Sequence, residues 1–412
     1  MKIIMNKLTV MENNNALANN RALINYRSNI FKLYTYNFMM GFYLLSGVLI
    51  PYYLIYGKLT FMQFMFLQSY YAVIILLFQI PFGAISDYIS RKLALFLSGL
   101  LSAIATLIYG INPNIIFFLI GDTIFALAEA LLSGTNESLI YESLKNVKQE
   151  NKYTKTMAKS NAIFLLSMAI SAPLGPIIAI YFSLPMVMIF MFFPYLFGTF
   201  VALTFKEPIK NGHNKNVNFF KTLKSGFKEI KCDKILRILV FDMIIIEILV
   251  LVLLYTYQFY LYQLNVPIIY FGIIASSYYL IQIVFTILIP KVGNQIKNKK
   301  KYLTINTIAP GIAYILIGII FFIPIIVILI LIAFGFGFSR YIIFDKSIND
   351  RINIENRATV LNTINTIRLI LKALLLPIIA FFALWNINLI FLIIGALIII
   401  LALKSKVKKE YL

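Results

Sequence analysis

Cysteine and histidine occur once each in 412 residues, as Cys232 and His213, and tryptophan once. That scarcity disfavours a disulfide framework, a structural zinc site and a histidine proton relay across a membrane. No glycine-rich phosphate loop with its following lysine is present, so ATP is not the expected energy source. Charge is sparse, at 13% of residues, and acids are the rarer sign, 16 against 37 lysines and arginines. Apolar residues fill the chain instead, at 61% with a mean hydropathy of +0.86. No soluble globular domain has that balance, so the chain reads as an integral membrane protein, with no cofactor or metal called for.

In a soluble chain a net charge of +21 would suggest nucleic acid. Its distribution gives a different reading. From about residue 31, stretches long enough to cross roughly 30 Å of hydrocarbon follow one another. They lie at about 31–56, 61–86, 93–111, 114–143, 158–182 and 185–205, then at about 235–262, 267–290, 302–321, 324–345, 357–383 and 386–404. This predicts an all-α membrane protein of about twelve helices. The turns at 110–113, 182–185, 264–267 and 385–388 carry no lysine or arginine, and on that side only the first turn has one, Lys58. The other side is crowded, with Arg91 and Lys92, 145–159, 206–237, 291–301, Arg351 and Arg357, and the last residues Lys404 to Lys409. Under the positive-inside rule both termini are cytoplasmic in a cell membrane, and the charge is topological. Anionic lipid headgroups are attracted to the same loops, and nucleic acid is not implied.

The expected organisation is then a cytoplasmic tail over 1–30, six helices over 31–205, a cytoplasmic central loop over 206–234, six more helices over 235–404 and a short cytoplasmic tail over 405–412. The apolar part near Met1 is too short for a signal peptide. Pro290 to Lys299 occupies in the second half the place that Pro81 to Lys92 occupies in the first, with Asn294 near the position of Asp87. A duplicated six-helix unit would leave such a repeat.

Ionisable groups inside the membrane are costly, so each is a functional hypothesis that needs a partner. The fourth stretch carries Asp122, Glu129 and Glu137, and there is no lysine, arginine or histidine anywhere between Lys92 and Lys145. Asp122 and Glu129 are seven residues apart, about 700° of helical rotation, and so share a face to within roughly 20°. Either suits a proton carrier or an anchor for a cationic substrate, and the alternative is a carboxylate paired with a neighbouring helix or kept protonated. The second half holds Asp242 and Glu247, then Arg340, then Arg368 and Lys372 one turn apart on one face. Arg340 is either a contact for an anionic substrate or a snorkelling cation. Tyr36, Asn37 and Gln258 are hydrogen-bonding candidates for a substrate, or ordinary interhelical contacts. Tyr255 and Tyr257 fit an aromatic belt.

The segment from Pro81 to Lys92 joins two spans. Gly83 permits close helix approach, and Asp87 stands one turn before Arg91, with Lys92 following. Together with the run Ser133 to Leu144 and with Arg357-Ala358-Thr359-Val360, this segment resembles elements of the major facilitator superfamily, over about residues 31–404. Tyr88 and Ser90 stand where that family usually carries a further glycine and a further basic residue. The resemblance implies two pseudo-symmetric six-helix bundles, with helices one, four, seven and ten lining a central cavity. It implies alternating access, with Gly83, Asp87, Arg91 and Lys92 acting as a conformational hinge or gate. It also makes the seventh and eleventh helices neighbours, so that Glu247 and Arg368, at equal depth, are expected to pair. The pair is either fixed or opened during transport. Gly175-Pro176 after Ser171 is similar to the family's antiporter element, with Ala179 and Ile180 replacing the closing glycines, and equally fits a plain proline kink.

The expected function is secondary active transport of a small molecule, coupled to protons through Glu129 or Asp122. Efflux of an organic or amphiphilic compound is favoured because the cavity helices are rich in Phe, Tyr and Met. The alternative is a nutrient or metabolite uptake symporter or facilitator. A non-transporting sensor or a membrane-embedded enzyme is the remote reading, since no nucleophile, base or metal cluster supports an enzyme. No obligate protein partner is implied.

Overall fold

Backbone polar groups in hydrocarbon have no water to pair with, and a helix closes those bonds within one segment. The computed structural model describes residues 26–88, 90–207, 219–292, 298–352 and 357–412, with backbone alone at 80, 83–88, 219–223, 288–292, 342, 345 and 358. Among the described residues the regular structure is helical throughout. A bent pair, α1 (Tyr26–Gly47) and α2 (Leu49–Tyr56), opens it. Then come α3 (Phe61–Tyr88), α4 (Arg91–Ile111), α5 (Ile115–Leu132), α6 (Thr135–Asn146), α7 (Tyr153–Tyr181) and α8 (Leu184–Leu203). The second half has α9 (Phe219–Cys232), α10 (Lys234–Gln263), α11 (Ile268–Val292), α12 (Lys299–Ile319), α13 (Ile323–Asn349) and α14 (Arg357–Leu403).

Ten of the described helices are long and apolar enough to span a membrane, or eleven if the bent first pair is one span. The last of them, α14, is broken at Asn386, whose φ of −160° and ψ of 104° leave the helical region. The Asn386 side chain accepts the Leu389 N–H at 3.1 Å, which caps a new helix start. From there the chain folds back along α12. A Cβ on Gly318 would meet Asn388 and Leu392, and one on Gly311 would meet Gly395 and Ile399, an antiparallel register.

Two expected spans are not continuous. The first bends by 69° between α1 and α2. Its backbone leaves the α-helix at Gly41, tightens to a 3-10 turn over Leu44–Gly47, and widens to a π-helix over Tyr52–Tyr56. Close packing fixes the bend: a Cβ on Gly47 would lie 2.0 Å from the Ala172 carbonyl oxygen, and one on Gly175 would lie 2.1 Å from that of Leu44. The Gly175-Pro176 element is thus the surface against which the broken first span is packed. The fourth span breaks at Gly134, whose φ of 75° is left-handed and favours glycine. Glu137 therefore stands exposed in the first turn of α6, off the helix that carries Asp122 and Glu129.

Helices of the first half pack mainly on one another, with α4 between α5 and α8, and those of the second half do likewise, with α12 against α13 and α14. Two seams join the halves, α7 with α11 and α3 with α14. The largest buried apolar cluster crosses between the halves, including Tyr53 and Phe64 from one and Leu253 and Phe259 from the other. Toward the end carrying the basic turns the cores are separate, one around Leu95 and Leu139 and one around Leu239 and Val360. The halves are therefore sealed at the end opposite the basic turns.

At the basic end, α4 begins with its donors satisfied. Ser90 accepts the Leu93 N–H at 3.0 Å, and the Glu207 carboxylate accepts those of Arg91 and Lys92 at 2.9 and 3.0 Å. The Arg91 guanidinium pairs with Glu142 of α6. Gly83 and Asp87 lie in the last turns of α3, and their side chains fall outside the described residues, as do residues 293–297 of the second-half hinge, His213 and residues 1–25.

Candidate functional site

The bend in the first span and the two seams leave a cavity of about 310 Å³ between the halves. The unwound part of α1 contributes Tyr43 and Ser46 to its wall, and α3 contributes Gln68 and Tyr71. From α5 come Asp122, Phe125 and Glu129, in keeping with their shared helix face, and from α14 comes Lys372. Tyr109, Tyr255 and Tyr279 are among the other tyrosines facing it.

Asp122 is 3% exposed and accepts a hydrogen bond from the Tyr109 hydroxyl. Its second oxygen, Oδ2, is buried with no hydrogen-bond partner among the described residues. Glu129 is exposed, and its carboxylate accepts the Tyr71 hydroxyl. A carboxylate exposed in the middle of a bundle faces the cavity rather than the packed core. Lys372 lies between two of the wall tyrosines, its Nζ 5.8 Å from the Tyr71 ring and 5.4 Å from that of Tyr255. These are cation–π distances. Neither α5 carboxylate nor Lys372 forms an ion pair among the described residues.

The remaining candidates lie elsewhere or are engaged. Arg368 Nε is 2.9 Å from Glu247 Oε2, and the guanidinium also lies 5.2 Å from the Tyr341 ring centre. Arg340 meets Asp242 at 2.5 Å, and the other Asp242 oxygen accepts the Ser405 hydroxyl at 2.6 Å. That second cluster surrounds a much smaller pocket beside α12. Tyr36 is fully buried and donates to the Leu95 carbonyl. Asn37 donates to Ser160 and accepts from Asn136, so both residues hold helices together.

Gln258 does line the cavity, but its amide is committed to the bend of the first span. It accepts the Ile50 N–H at 3.1 Å and donates to the Ser46 carbonyl at 2.7 Å. The clamp crosses from one half to the other, next to a stack of Phe61 on Phe259 with centroids 3.9 Å apart. Tyr255 and Tyr257 line the cavity rather than an outer belt, because the bend brings α1 and α2 over that end of α10. Tyr71 and Tyr109 are not apparent as site residues from the sequence, where a tyrosine in an apolar run has no charge to mark it.

A multi-pass helical protein whose two halves enclose one solute-sized, charge-bearing cavity has the architecture of a membrane carrier. A family model for the Major Facilitator Superfamily matches residues 35–375, and the chain belongs to that family. No curated protein matches it by sequence. Among solved structures it is similar to a variant of the nucleoside transporter NupG, with a TM-score of 0.77 and 13% identity over 92% of this chain and 100% of that one. A D-xylose-proton symporter has a TM-score of 0.72 and 13% identity over 94% and 99%. A POT family transporter in complex with a thioalcohol-conjugated peptide has a TM-score of 0.71 and 15% identity over 91% and 94%. At these identities the likeness is one of fold.

Proposed function

We propose that the chain is a secondary active transporter of the cell membrane that takes up a small polar organic solute together with protons, by alternating access, with both termini cytoplasmic. The observation that carries this reading is the pair of α5 carboxylates, Asp122 and Glu129, set in a tyrosine-lined cavity between the halves. A carboxylate held there without an ion pair can take and release a proton as the cavity's exposure changes. With the basic turns cytoplasmic, the seal at the other end, formed by Gln258 and the Phe61–Phe259 stack, supports reading this conformation as inward-facing. Rocking about the α7–α11 and α3–α14 seams would open the sealed end and close the basic one.

Uptake is preferred here over the export of amphiphiles that aromatic content alone favours. The cavity aromatics are mostly tyrosines, whose hydroxyls suit a hydrogen-bonding solute. The similar folds are described as nucleoside, D-xylose-proton and peptide-bound POT family transporters. The test is internal pH in proteoliposomes during addition of nucleosides, pentoses, amino acids, peptides or amphiphilic cations. Symport predicts internal acidification with one solute class, lost in Asp122→Asn or Glu129→Gln. Internal alkalinisation would mean antiport. Solute entry without proton movement, equal in the variants, would remove both carboxylates from the mechanism.

A further inference from the structure

Outside the central cavity, two pairs of charged side chains within the second half's spans neutralise each other among the described residues. Arg340 is held by Asp242 and Arg368 by Glu247. Inside the cavity the pattern changes: a lysine on the second half and two carboxylates on the first stand without ion pairs among the described residues. An unpaired charge in a low-dielectric wall is costly, and a ligand group of opposite sign recovers that cost when it binds. Asp122 has a buried oxygen with no partner, Glu129 is exposed to the cavity, and Lys372 is steadied by aromatic rings. From this arrangement we infer that the transported solute is a zwitterion, its ammonium bound by Glu129 and its carboxylate by Lys372, with Asp122 left to carry the proton. The inference rests on the transporter reading and names its substrate class.

The division of roles follows from surroundings. Asp122 lies deep beside Tyr109, with one oxygen engaged and one open, which accommodates a proton and nothing larger. Glu129 is the accessible acid. Tyr71 touches both poles, its hydroxyl on Glu129 and its ring beneath Lys372. The phenol therefore lies between the groups that would bind the ligand's two ends, and the ligand's charges are several bonds apart, as in a dipeptide or an ω-amino acid. A cavity of about 310 Å³ sits at the small end of ligand sites, where such solutes fit. Because the poles belong to opposite halves, the ligand itself bridges the parts that must move together. A solute with one pole missing leaves one charge of the cavity wall unanswered and binds more weakly.

The experiment uses the full chain purified in detergent and again in proteoliposomes. The probes are alanyl-alanine and 5-aminovalerate, their carboxamides, their N-acetyl derivatives, and the neutral solutes uridine and xylose. Thermal unfolding reports binding, and counterflow reports transport. Expected is stabilisation by at least one zwitterion, with at least about tenfold weaker binding once either end is blocked. Glu129→Gln is expected to lose the discrimination against the N-acetyl compound, and Lys372→Gln that against the carboxamide. Blocking the ligand's ends tests the inference in the wild-type protein even if a variant fails to fold. Binding and exchange of uridine or xylose, indifferent to Lys372→Gln, overturns the zwitterion assignment and leaves the transporter reading intact. Zwitterions that bind but do not exchange across the bilayer uphold the site and overturn transport. Failure of both zwitterions to bind overturns the inference.

Discussion

Neutralising Arg368 alone and together with its partner measures how far the second half depends on its internal ion pair. The contact is short, 2.9 Å between Arg368 Nε and Glu247 Oε2, with side chains 23% and 29% exposed. At an effective dielectric of about 20 the gross attraction at that distance is about 6 kcal/mol, most of it offset by desolvation. Removing one partner of a fully buried pair costs about 3–5 kcal/mol, and of an exposed pair less than about 1 kcal/mol. With roughly three-quarters of each side chain covered, Arg368→Gln is expected to cost about 2–3 kcal/mol, since Glu247 is then left uncompensated. The double variant with Glu247→Gln removes both charges and is expected to regain about 1–2 kcal/mol over the worse single one. The assay is thermal or denaturant unfolding of the purified protein, followed at the tyrosines. A double variant no better than the worse single one, or equal to the sum of the singles, refutes the reasoning.

Three other perturbations test the seal and the start of α4. Gln258→Leu strips the Ser46 carbonyl and the Ile50 N–H of their partner, weakening the closed end by about 2–4 kcal/mol. In a Cys232→Ser background, a Tyr279→Cys probe should then react faster with an impermeant maleimide from outside, and an unchanged rate sinks the clamp. Gly272→Leu pushes a side chain toward the Ala172 carbonyl oxygen, which even a Cβ would approach to 2.5 Å across the α7–α11 seam. The same labelling should rise, and a fall would mean that the close approach at Gly272 does not hold the sealed end shut. Glu207→Ala leaves two N–H groups at the start of α4 uncapped, at about 1–2 kcal/mol, read as a lower unfolding midpoint. An unchanged midpoint would show that water replaces the carboxylate at no cost.

Much of the site was legible because charge in an apolar run has few explanations. Asp122 and Glu129 stand out by isolation and share a face by helical geometry, and both line the cavity. Equal depth on two neighbouring helices brought Glu247 and Arg368 together. The preference for export, drawn from Phe, Tyr and Met content, gains no support from the similar structures, and composition does not say which aromatics face the cavity. Tyr36 and Asn37 fitted either a ligand contact or an interhelical one, and both bond across helices, since a polar group in a span serves either use and only its neighbours decide.

The sequence by itself determined the membrane class, the approximate spans and the carboxylates of α5. Hydropathy and charge act over a whole segment, and no tertiary arrangement reverses them. The tertiary structure decided where helices break and which polar groups are left over. The bend at Gly41–Gly47 exists because Ala172, Gly175 and Pro176 press against it, and Gln258 reaches its backbone from the other half. Lys372 has no ion pair among the described residues while Arg368, one turn before it, has one, because Glu247 lies beside Arg368 and tyrosine rings lie beside Lys372. Such contacts join residues a hundred or more positions apart, and nothing local in the chain encodes them.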